Sequence, residues 1–249
     1  MTKRAIVTGA GARLGRAMAL YLADRGHDVA VHYNSSEDQA RKTLEEFKDL
    51  GIEAEAYRAD VSNEVDVDRM FDSLLDRFER LDVLVTTASV WVSKKLEQIS
   101  ADDVRVNFDI NTLGTFLFVR RGGLMMAEQE TGGVVVTIGD WAIERPYPDH
   151  AAYFVSKGAI PTLTRTMAVE LAARNPRVRV NCIHPGPVMA PPGLSKEELR
   201  ARIDATLVKD ADNPETMVRT VLYFVDNSFV TGVCLPVDGG RTIYAGTAY

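Results

Sequence analysis

The sequence has few cysteines and histidines, and none of them is spaced like the ligands of a metal site. Its 249 residues include two cysteines and four histidines. Cys182 and Cys234 each lie in an apolar run typical of a strand, so we expect buried structural thiols. No Cys/His spacing resembles that of a zinc site, so we expect no bound metal. A chain of this length can bury a substantial core without disulfides or metal.

Long apolar stretches and an excess of positive charge are also missing. No apolar run approaches the roughly 18 residues that a membrane-spanning helix needs. The net charge of −6 argues against a protein that binds nucleic acid mainly by electrostatics. The N-terminal residues lead directly into a short strand pattern, not into the apolar core of a signal peptide. These features favour a cytoplasmic enzyme that acts on a small molecule, without a membrane or nucleic acid as partner.

Short apolar runs alternate with longer helical patterns along the whole chain. Such alternation predicts a parallel sheet with helices on both faces, and right-handed crossovers make it doubly wound. We predict one α/β domain over residues 1–249, with strands at 5–7, 29–33, 55–57, 83–85, 134–138, 178–183 and 233–236. The predicted helices are 13–25, 37–50, 64–78, 101–126, 151–174, 196–205 and 214–225, and Pro161 should bend the fifth of them. Ligands of such sheets bind at the carboxyl ends of the strands, so functional motifs should directly follow strands.

A glycine-rich segment, Thr8-Gly9-Ala10-Gly11-Ala12-Arg13-Leu14-Gly15, follows the first strand and opens the first helix. Glycines let the backbone approach a pyrophosphate, and the helix N-terminus presents unpaired N–H groups to it. The spacing departs by one residue from the plain G-x-G-x-x-G fingerprint, but the placement between strand and helix supports the same function. We predict a dinucleotide site that includes Gly9, Arg13 and Leu14. The alternative is a tight turn without a ligand.

The end of the second strand favours NADPH over NADH. An NAD site usually carries an acid about 20 residues after the glycines, to bind the ribose hydroxyls. Here the strand ends in Tyr33-Asn34-Ser35-Ser36, with no acid before Glu37. Hydroxyl and amide groups accept a 2′-phosphate that a carboxylate would repel, and Arg13 adds a positive charge. We predict that Tyr33, Asn34 and Ser35 bind NADPH/NADP+, although Ser36 can equally cap the next helix.

Asp60-Val61 follows the third predicted strand. Asp60 can accept a hydrogen bond from the adenine amino group. It can also cap the next helix, for which Ser62 is better placed.

Tyr153 and Lys157 lie four residues apart, on one face of a predicted helix. A free tyrosine has a pKa of about 10, and a nearby cation lowers it by favouring the phenolate. The lysine can also bind the nicotinamide ribose. By itself Tyr-x-x-x-Lys is common by chance, and the alternative is a surface pair. Its position after the fifth strand of a dinucleotide fold favours proton transfer beside a hydride transfer.

These motifs together resemble the short-chain dehydrogenase/reductase family over essentially the whole chain. The matching segments are Thr8-Gly9 to Gly15, Asp60-Val61, Asn111, Tyr153-x-x-x-Lys157, Pro185-Gly186 and Val237-Asp238-Gly239-Gly240. The resemblance implies one Rossmann-type domain with a seven-stranded sheet, a substrate loop or lid near 186–212, and a homotetramer.

The resemblance also implies roles for individual residues. Tyr153 would be the general acid/base, and Lys157 would orient the ribose and lower the tyrosine pKa. Asn111 would support a water relay, unless it only satisfies a kinked helix. The residues implied to contact the cofactor are Asp60, Val61, Ala88, Ser89, Lys157, Pro185 and Gly186.

Three departures from the family pattern resemble its pteridine reductase branch. Asp140 stands where the family has a catalytic serine, and Arg13 replaces a glycine of the cradle. The family's Asn-Asn-Ala-Gly reads Thr86-Thr87-Ala88-Ser89, and the branch also ends this motif in Ser. Trp91 occupies the position of the aromatic residue that stacks on the pterin in that branch. Trp91 can alternatively be a core residue, and Asp140 a tolerated replacement.

The resulting prediction is an NADPH-dependent reductase of a pterin, dihydropterin or dihydrofolate-like ring. Ser89, Trp91, Asp140 and Tyr153 would bind the substrate, and Tyr153, coupled to Asp140, would protonate a ring nitrogen. Such a coupling requires that burial keep Asp140 partly protonated. The alternative is an NADPH-dependent ketone or alcohol oxidoreductase of the same fold. A non-enzymatic NADPH sensor is disfavoured, because a sensor does not need the Tyr153, Lys157 and Asn111 set.

Overall fold

A sheet of seven parallel strands forms the centre of the computed structural model, which describes residues 2–191, 193–211 and 213–244. The strands are β1 (Arg4–Thr8), β2 (Asp28–Tyr33), β3 (Ala54–Arg58), β4 (Val83–Thr86), β5 (Gly133–Ile138), β6 (Val178–Pro185) and β7 (Cys234–Val237). Their spatial order is β3-β2-β1-β4-β5-β6-β7, and every pair is parallel. The predicted doubly wound, seven-stranded fold is confirmed. The order reverses between β1 and β4, which is where such a sheet opens a crevice for ligands.

Helices cover both faces of the sheet. They are α1 (Arg13–Asp24), α2 (Glu37–Phe47), α3 (Glu64–Phe78), α4 (Ala101–Asn107), α5 (Gly114–Glu128), α6 (Ala151–Gly158), α7 (Ile160–Ala172), α8 (Lys196–Asp204) and α9 (Glu215–Asp226). Successive strand residues point to opposite faces. Leu84 and Val135 therefore belong to one core, shared with α3, α5 and α7. Val85 and Val136 belong to a second core, shared with α1 and α9. No helix among the described residues is both long and apolar enough to cross a membrane.

The helix predicted over 101–126 is not a uniform α-helix. A π-helical segment, Phe108–Leu113, joins α4 to α5. Its Asn111 is completely buried, and its side chain forms hydrogen bonds to Val90 and Ser156, which lie outside this helical run. Periodicity did not reveal this segment, because one extra residue in a turn leaves the apolar pattern almost unchanged. Isolated π turns occur often at functional sites.

The helix predicted over 151–174 is two helices. It ends as α6 at Gly158 and restarts as α7 at Ile160. Pro161 lies in the first turn of α7, where its missing N–H would have no partner inside the helix. The proline thus starts a helix, and the prediction that it bends the interior of one was wrong.

Candidate active site

A cavity of about 410 Å³ opens at the carboxyl ends of β1, β4, β5 and β6. Its wall contains most of the residues that the sequence assigns to the site, namely Gly9, Arg13, Leu14, Ala88, Ser89, Trp91, Asp140, Tyr153, Lys157, Pro185 and Gly186. The cavity wall does not contain the other residues that the sequence assigns to the site, which are Tyr33, Asn34, Ser35, Asp60, Val61 and Asn111. Trp141, Tyr147, Met189 and Arg202 complete the wall on the side of the substrate loop.

The glycine-rich segment after β1 forms a cradle between β1 and α1. A Cβ atom on Gly15 would lie 2.5 Å from the carbonyl oxygen of Gly9, so only glycine allows this approach. Ala12 begins α1 without a side-chain cap, and the first turn contains no acid, so its N–H groups are available to an anion. Arg13 replaces a family glycine yet keeps a left-handed φ of 48°, which costs a non-glycine residue about 1 kcal/mol. The cradle suits a dinucleotide pyrophosphate.

His32, which the sequence analysis missed, holds the cradle to β2. The backbone N–H of Gly9 donates to His32 Nδ1 at 3.1 Å, and His32 Nε2 lies 3.0 Å from the carbonyl oxygen of Ala59. Burial lowers the pKa of His32 to about 4, so the ring is neutral, with Nδ1 as acceptor and Nε2–H as donor. Its place in an alternating strand made it look like an ordinary core residue.

The residues assigned to the adenosine half of the cofactor lie at the ends of β2 and β3. Asn34 and Ser35 are exposed there. Ser36 precedes α2 but forms no cap, so this alternative for Ser36 was wrong. Asp60 Oδ1 accepts from the backbone N–H and the hydroxyl of Ser62, and these two bonds lower the Asp60 pKa.

Two further details of this edge differ from the sequence-based interpretation. Asn63 caps α3, whereas Ser62 was expected to do so. Val61 is buried against Gly114, where an added Cβ would come within 2.7 Å of the Val61 side chain. Val61 therefore packs the loop after β3 closely against the start of α5.

Tyr153 and Asp140 form the hydrogen-bonded pair that the sequence predicts. The Tyr153 hydroxyl donates to Asp140 Oδ2 at 2.7 Å. Burial raises the pKa of Asp140, as expected, although the N–H of Ala142 and the hydroxyl of Tyr153 oppose this shift. Burial, followed by the charge of Asp140, raises the pKa of Tyr153 well above 10. At neutral pH the tyrosine is a protonated phenol.

Lys157 does not act on Tyr153 as expected. Its ammonium donates to the carbonyl oxygen of Ile138 at 2.8 Å, and it is not among the groups that shift the Tyr153 pKa. The prediction that this lysine lowers the tyrosine pKa is wrong for this structure. Burial instead lowers the pKa of Lys157 itself to about 8, against the charges of Asp140 and Cys182.

Asn111 joins the loop after β4 to α6. Its Oδ1 accepts from the Ser89 hydroxyl at 2.9 Å and from the N–H of Val90 at 2.8 Å, while Nδ2 donates to Ser156 Oγ at 3.0 Å. It therefore positions the segment that carries Ala88 and Ser89. Its interactions reach well beyond the helix, so it does more than satisfy a kink.

Trp91 lies at the rim of the cavity and is 48% exposed, so it is not a core residue. Its ring stacks on His150 with centroids 4.7 Å apart, and its Nε1 donates to the Tyr147 hydroxyl at 3.3 Å. His150 itself is buried. The rings of His150 and Tyr147 thus hold the Trp91 indole at the rim, where it could stack on a flat substrate.

A dinucleotide cradle that opens into a cavity with a hydrogen-bonded tyrosine and a buried lysine is the arrangement of a Rossmann-fold oxidoreductase. Comparison with known proteins identifies the family. A family model described as "Enoyl-(Acyl carrier protein) reductase" matches residues 9–242. The chain belongs to the short-chain dehydrogenase/reductase family, whose members use nicotinamide cofactors.

Three relatives illustrate the range of activities in this part of the family. 3beta-hydroxysteroid dehydrogenase 1 of Eggerthella lenta is 32% identical, over 98% of this chain and 95% of its own. Glucose 1-dehydrogenase 2 of Bacillus subtilis is 33% identical, over 97% of this chain and 95% of its own. The crystal structure of acetoin dehydrogenase from Enterobacter cloacae superposes with a TM-score of 0.88 at 32% identity, covering 100% of this chain and 98% of that one. The names of these relatives refer to alcohol or carbonyl substrates, and the comparisons do not specifically support the pteridine reductase branch.

Proposed function

We propose that this protein is an NADP(H)-dependent carbonyl reductase that interconverts a ketone or aldehyde and its alcohol. The observation that carries the proposal is the Tyr153 phenol, hydrogen-bonded to Asp140 in a cavity continuous with the dinucleotide cradle. The alcohol and carbonyl chemistry in the names of the relatives supports it. This was the alternative in the sequence-based interpretation, and the comparisons favour it over pterin reduction.

The residues of the cavity provide binding and proton transfer. The nicotinamide, when bound, supplies the hydride that adds to the carbonyl carbon. Tyr153 then donates its phenolic proton to the carbonyl oxygen, because its raised pKa keeps the phenol protonated. Asp140, whose pKa burial also raises, can take up a proton from solvent and pass it to the Tyr153 phenolate through their 2.7 Å hydrogen bond. Lys157 would bind the ribose and orient it toward Tyr153, while Asn111 fixes the loop that carries Ser89.

The proposal includes a preference of the enzyme for NADP(H) over NAD(H). It rests on the exposed amide and hydroxyl of Asn34 and Ser35 after β2, and on the exposed cation of Arg13 in the cradle. We expect Tyr33, Asp60 and Val61 to complete the adenosine half, and Pro185 and Gly186 the nicotinamide half. The predicted lid near 186–212 contributes Met189 and Arg202 to the cavity wall. Residues 192 and 212 of that lid lie outside the described ranges.

Pterin reduction remains a second candidate because of two specific observations. Asp140 is bonded to Tyr153 at the position of the family serine, and the half-exposed indole of Trp91 is held at the cavity rim. A carboxyl group of raised pKa can help to protonate a ring nitrogen, and an indole can stack on a flat heterocycle.

Cofactor oxidation with a substrate panel separates the two candidates. NADPH and NADH would each be tested with small ketones, a steroid ketone, and 7,8-dihydrobiopterin. Turnover of ketones with NADPH, and little with dihydrobiopterin, supports the carbonyl reductase. The reverse result would replace it with the pterin reductase. Tight NADPH binding without turnover of any substrate would indicate a sensor.

The variant Asp140→Ser tests the role of the carboxyl group. For a carbonyl reductase, the serine hydroxyl can polarise the substrate oxygen, so we expect ketone turnover to persist or rise. For a pterin reductase, the same change should lower turnover. A drop in ketone turnover of about 100-fold would contradict the expectation for a carbonyl reductase. It would show that Asp140 is essential for supplying the proton.

A further inference from the structure

Three arginines gather around Trp141 on the loop side of the catalytic cavity. The guanidinium of Arg241 lies 4.6 Å from the centroid of the Trp141 ring, and that of Arg145 lies 5.7 Å from it. Arg202, on α8, lines the cavity together with Trp141 and Tyr147. A chain with a net charge of −6 thus concentrates three cations around Trp141, and one of them, Arg202, lines the cavity that contains the acid–base pair.

These arginines differ in how their charges are satisfied. Arg145 donates to the carbonyl oxygens of Arg241 and Tyr244 and so fixes the position of the C-terminal segment. Arg241, by contrast, has Nε and Nη1 buried without a hydrogen-bond partner in the described part of the chain. Arg202 forms no ion pair with any residue in the described ranges.

No carboxylate in the described part of the chain forms an ion pair with Arg202 or Arg241, although the charges of Glu198 and Asp238 act on them from nearby. Asp238 is the nearest acid along the chain, but its oxygens accept from the N–H of Gly240 and from the N–H and hydroxyl of Thr242. Burial lowers the pKa of Arg241, and repulsion from Arg202 and Arg145 lowers it further, against the weaker effects of Tyr147 and Asp238. Bringing like charges together in a partly dry site costs free energy, which an arriving anion recovers.

We propose that Arg202 and Arg241 bind an oxyanion of the substrate, a carboxylate or a phosphate, while the carbonyl group of the same molecule lies at Tyr153. Guanidinium groups present paired N–H donors that match both oxyanions. The Trp141 ring contacts the Arg241 guanidinium and restricts it before binding, so that little side-chain freedom is lost when the anion arrives. This inference rests on the proposed function, because it places an anionic group on the carbonyl substrate.

Matched substrate pairs test the proposal. Acetoacetate would be compared with methyl acetoacetate, and hydroxyacetone phosphate with hydroxyacetone, by kcat/KM for NADPH oxidation. We expect the wild-type enzyme to prefer the charged member of at least one pair, and the preferred pair identifies carboxylate or phosphate. Arg241→Met and Arg202→Met should each reduce that preference by about 10- to 100-fold, mainly through KM.

Arg200→Gln is the matched control on the same helix. Arg200 is exposed and paired with Asp204, so its removal should leave the preference unchanged. Equal use of charged and neutral substrates by the wild-type enzyme would overturn the proposal. An equal loss of the preference for the charged substrate in Arg241→Met, Arg202→Met and Arg200→Gln would also overturn it.

A binding measurement separates this proposal from the proposed function. Malonate and, in a separate experiment, inorganic phosphate would be titrated calorimetrically into the protein with NADP+ bound. One site per chain, weakened about 10-fold or more in Arg241→Met and Arg202→Met but retained in Arg200→Gln, supports the anion site even if no carbonyl compound is reduced. Absence of malonate and phosphate binding in the wild-type protein would contradict the anion site, even if neutral ketones are reduced.

Discussion

Lys157 is a buried cation whose main partner is a neutral carbonyl oxygen, that of Ile138. Burial lowers its pKa from 10.5 to about 8. The unfolded chain therefore binds more protons than the folded chain between these two pH values, and stability should rise with pH across that window. Below pH 8 the charged lysine lowers the free energy of unfolding by its full amount, which is about 3 kcal/mol.

The variant Lys157→Met tests this linkage. We expect the free energy of unfolding of the wild-type protein to rise between pH 8 and pH 10.5 relative to that of the variant. Urea unfolding at several pH values measures the difference. Parallel curves for the two proteins across this range would show that the lysine pKa is not lowered in the folded state.

Tyr153→Phe removes the proposed proton donor while keeping the ring. We expect turnover to fall by about 100-fold or more, with NADPH affinity unchanged, because the phenol acts on the substrate. Steady-state rates and calorimetric NADPH binding provide the two measurements. Tyr57→Phe is the control, since the Tyr57 hydroxyl bonds to Glu55 at the surface edge of β3. Full turnover in Tyr153→Phe would refute the mechanism.

The junction between β1 and α1 depends on the absence of a side chain at Gly15. An alanine there would place its Cβ 2.5 Å from both the Gly9 carbonyl oxygen and Thr87 Oγ1. We expect Gly15→Ala to lower the free energy of unfolding by about 1–3 kcal/mol and to weaken NADPH binding, because the cradle must open. Thermal unfolding and calorimetric titration measure the two effects.

Gly158→Ala, at the end of α6, is the matched control. Apart from its chain neighbours and the backbone of its own helix, no atom of the described residues lies within 4 Å of the added Cβ, and the backbone there is helical. This change should raise stability by about 0.5–1 kcal/mol and leave NADPH affinity unchanged. Equal effects of the two substitutions would show that the cradle tolerates a side chain.

Apolar residues remain exposed on the face formed by α5 and α7. Leu113 and Phe116 are 40% and 38% exposed, and they border a groove between α5 and α7 that also contains Leu163. The family resemblance implies a homotetramer, and we propose that this face contacts a second copy of the chain. Exposed apolar groups of this kind are typical of homo-oligomer contacts.

Phe116→Glu should therefore lower the molecular mass in solution, measured by light scattering after size exclusion, from that of a tetramer to that of a smaller assembly. Val65→Glu, an equally polar change on the exposed start of α3, should not change the mass. A wild-type monomer, or an unchanged mass in Phe116→Glu, would exclude this face as the contact.

The sequence determined the fold and the location of the site, since strand–helix alternation fixes a parallel sheet and the carboxyl ends of parallel strands meet at one edge. Gly9, Ala88, Asp140 and Gly186 each follow a strand, so their convergence could be predicted without coordinates. Contacts that depend on burial and side-chain direction were decided only by the tertiary structure. They include the bond from Gly9 to His32, the direction of the Lys157 ammonium and the π-helical segment around Asn111.

The same distinction holds for the arginines around Trp141. Arg145 and Arg241 are almost one hundred residues apart in the chain, and nothing in the local pattern of either one indicates the other. They meet because the segment after β7 returns across the end of β5. The Tyr153 pKa shows the same limit, because spacing places a lysine one turn away, whereas burial and the charge of Asp140 determine the direction of the shift. Periodicity and motifs specify which backbone segments meet, but the free energy of a charge depends on everything packed around it.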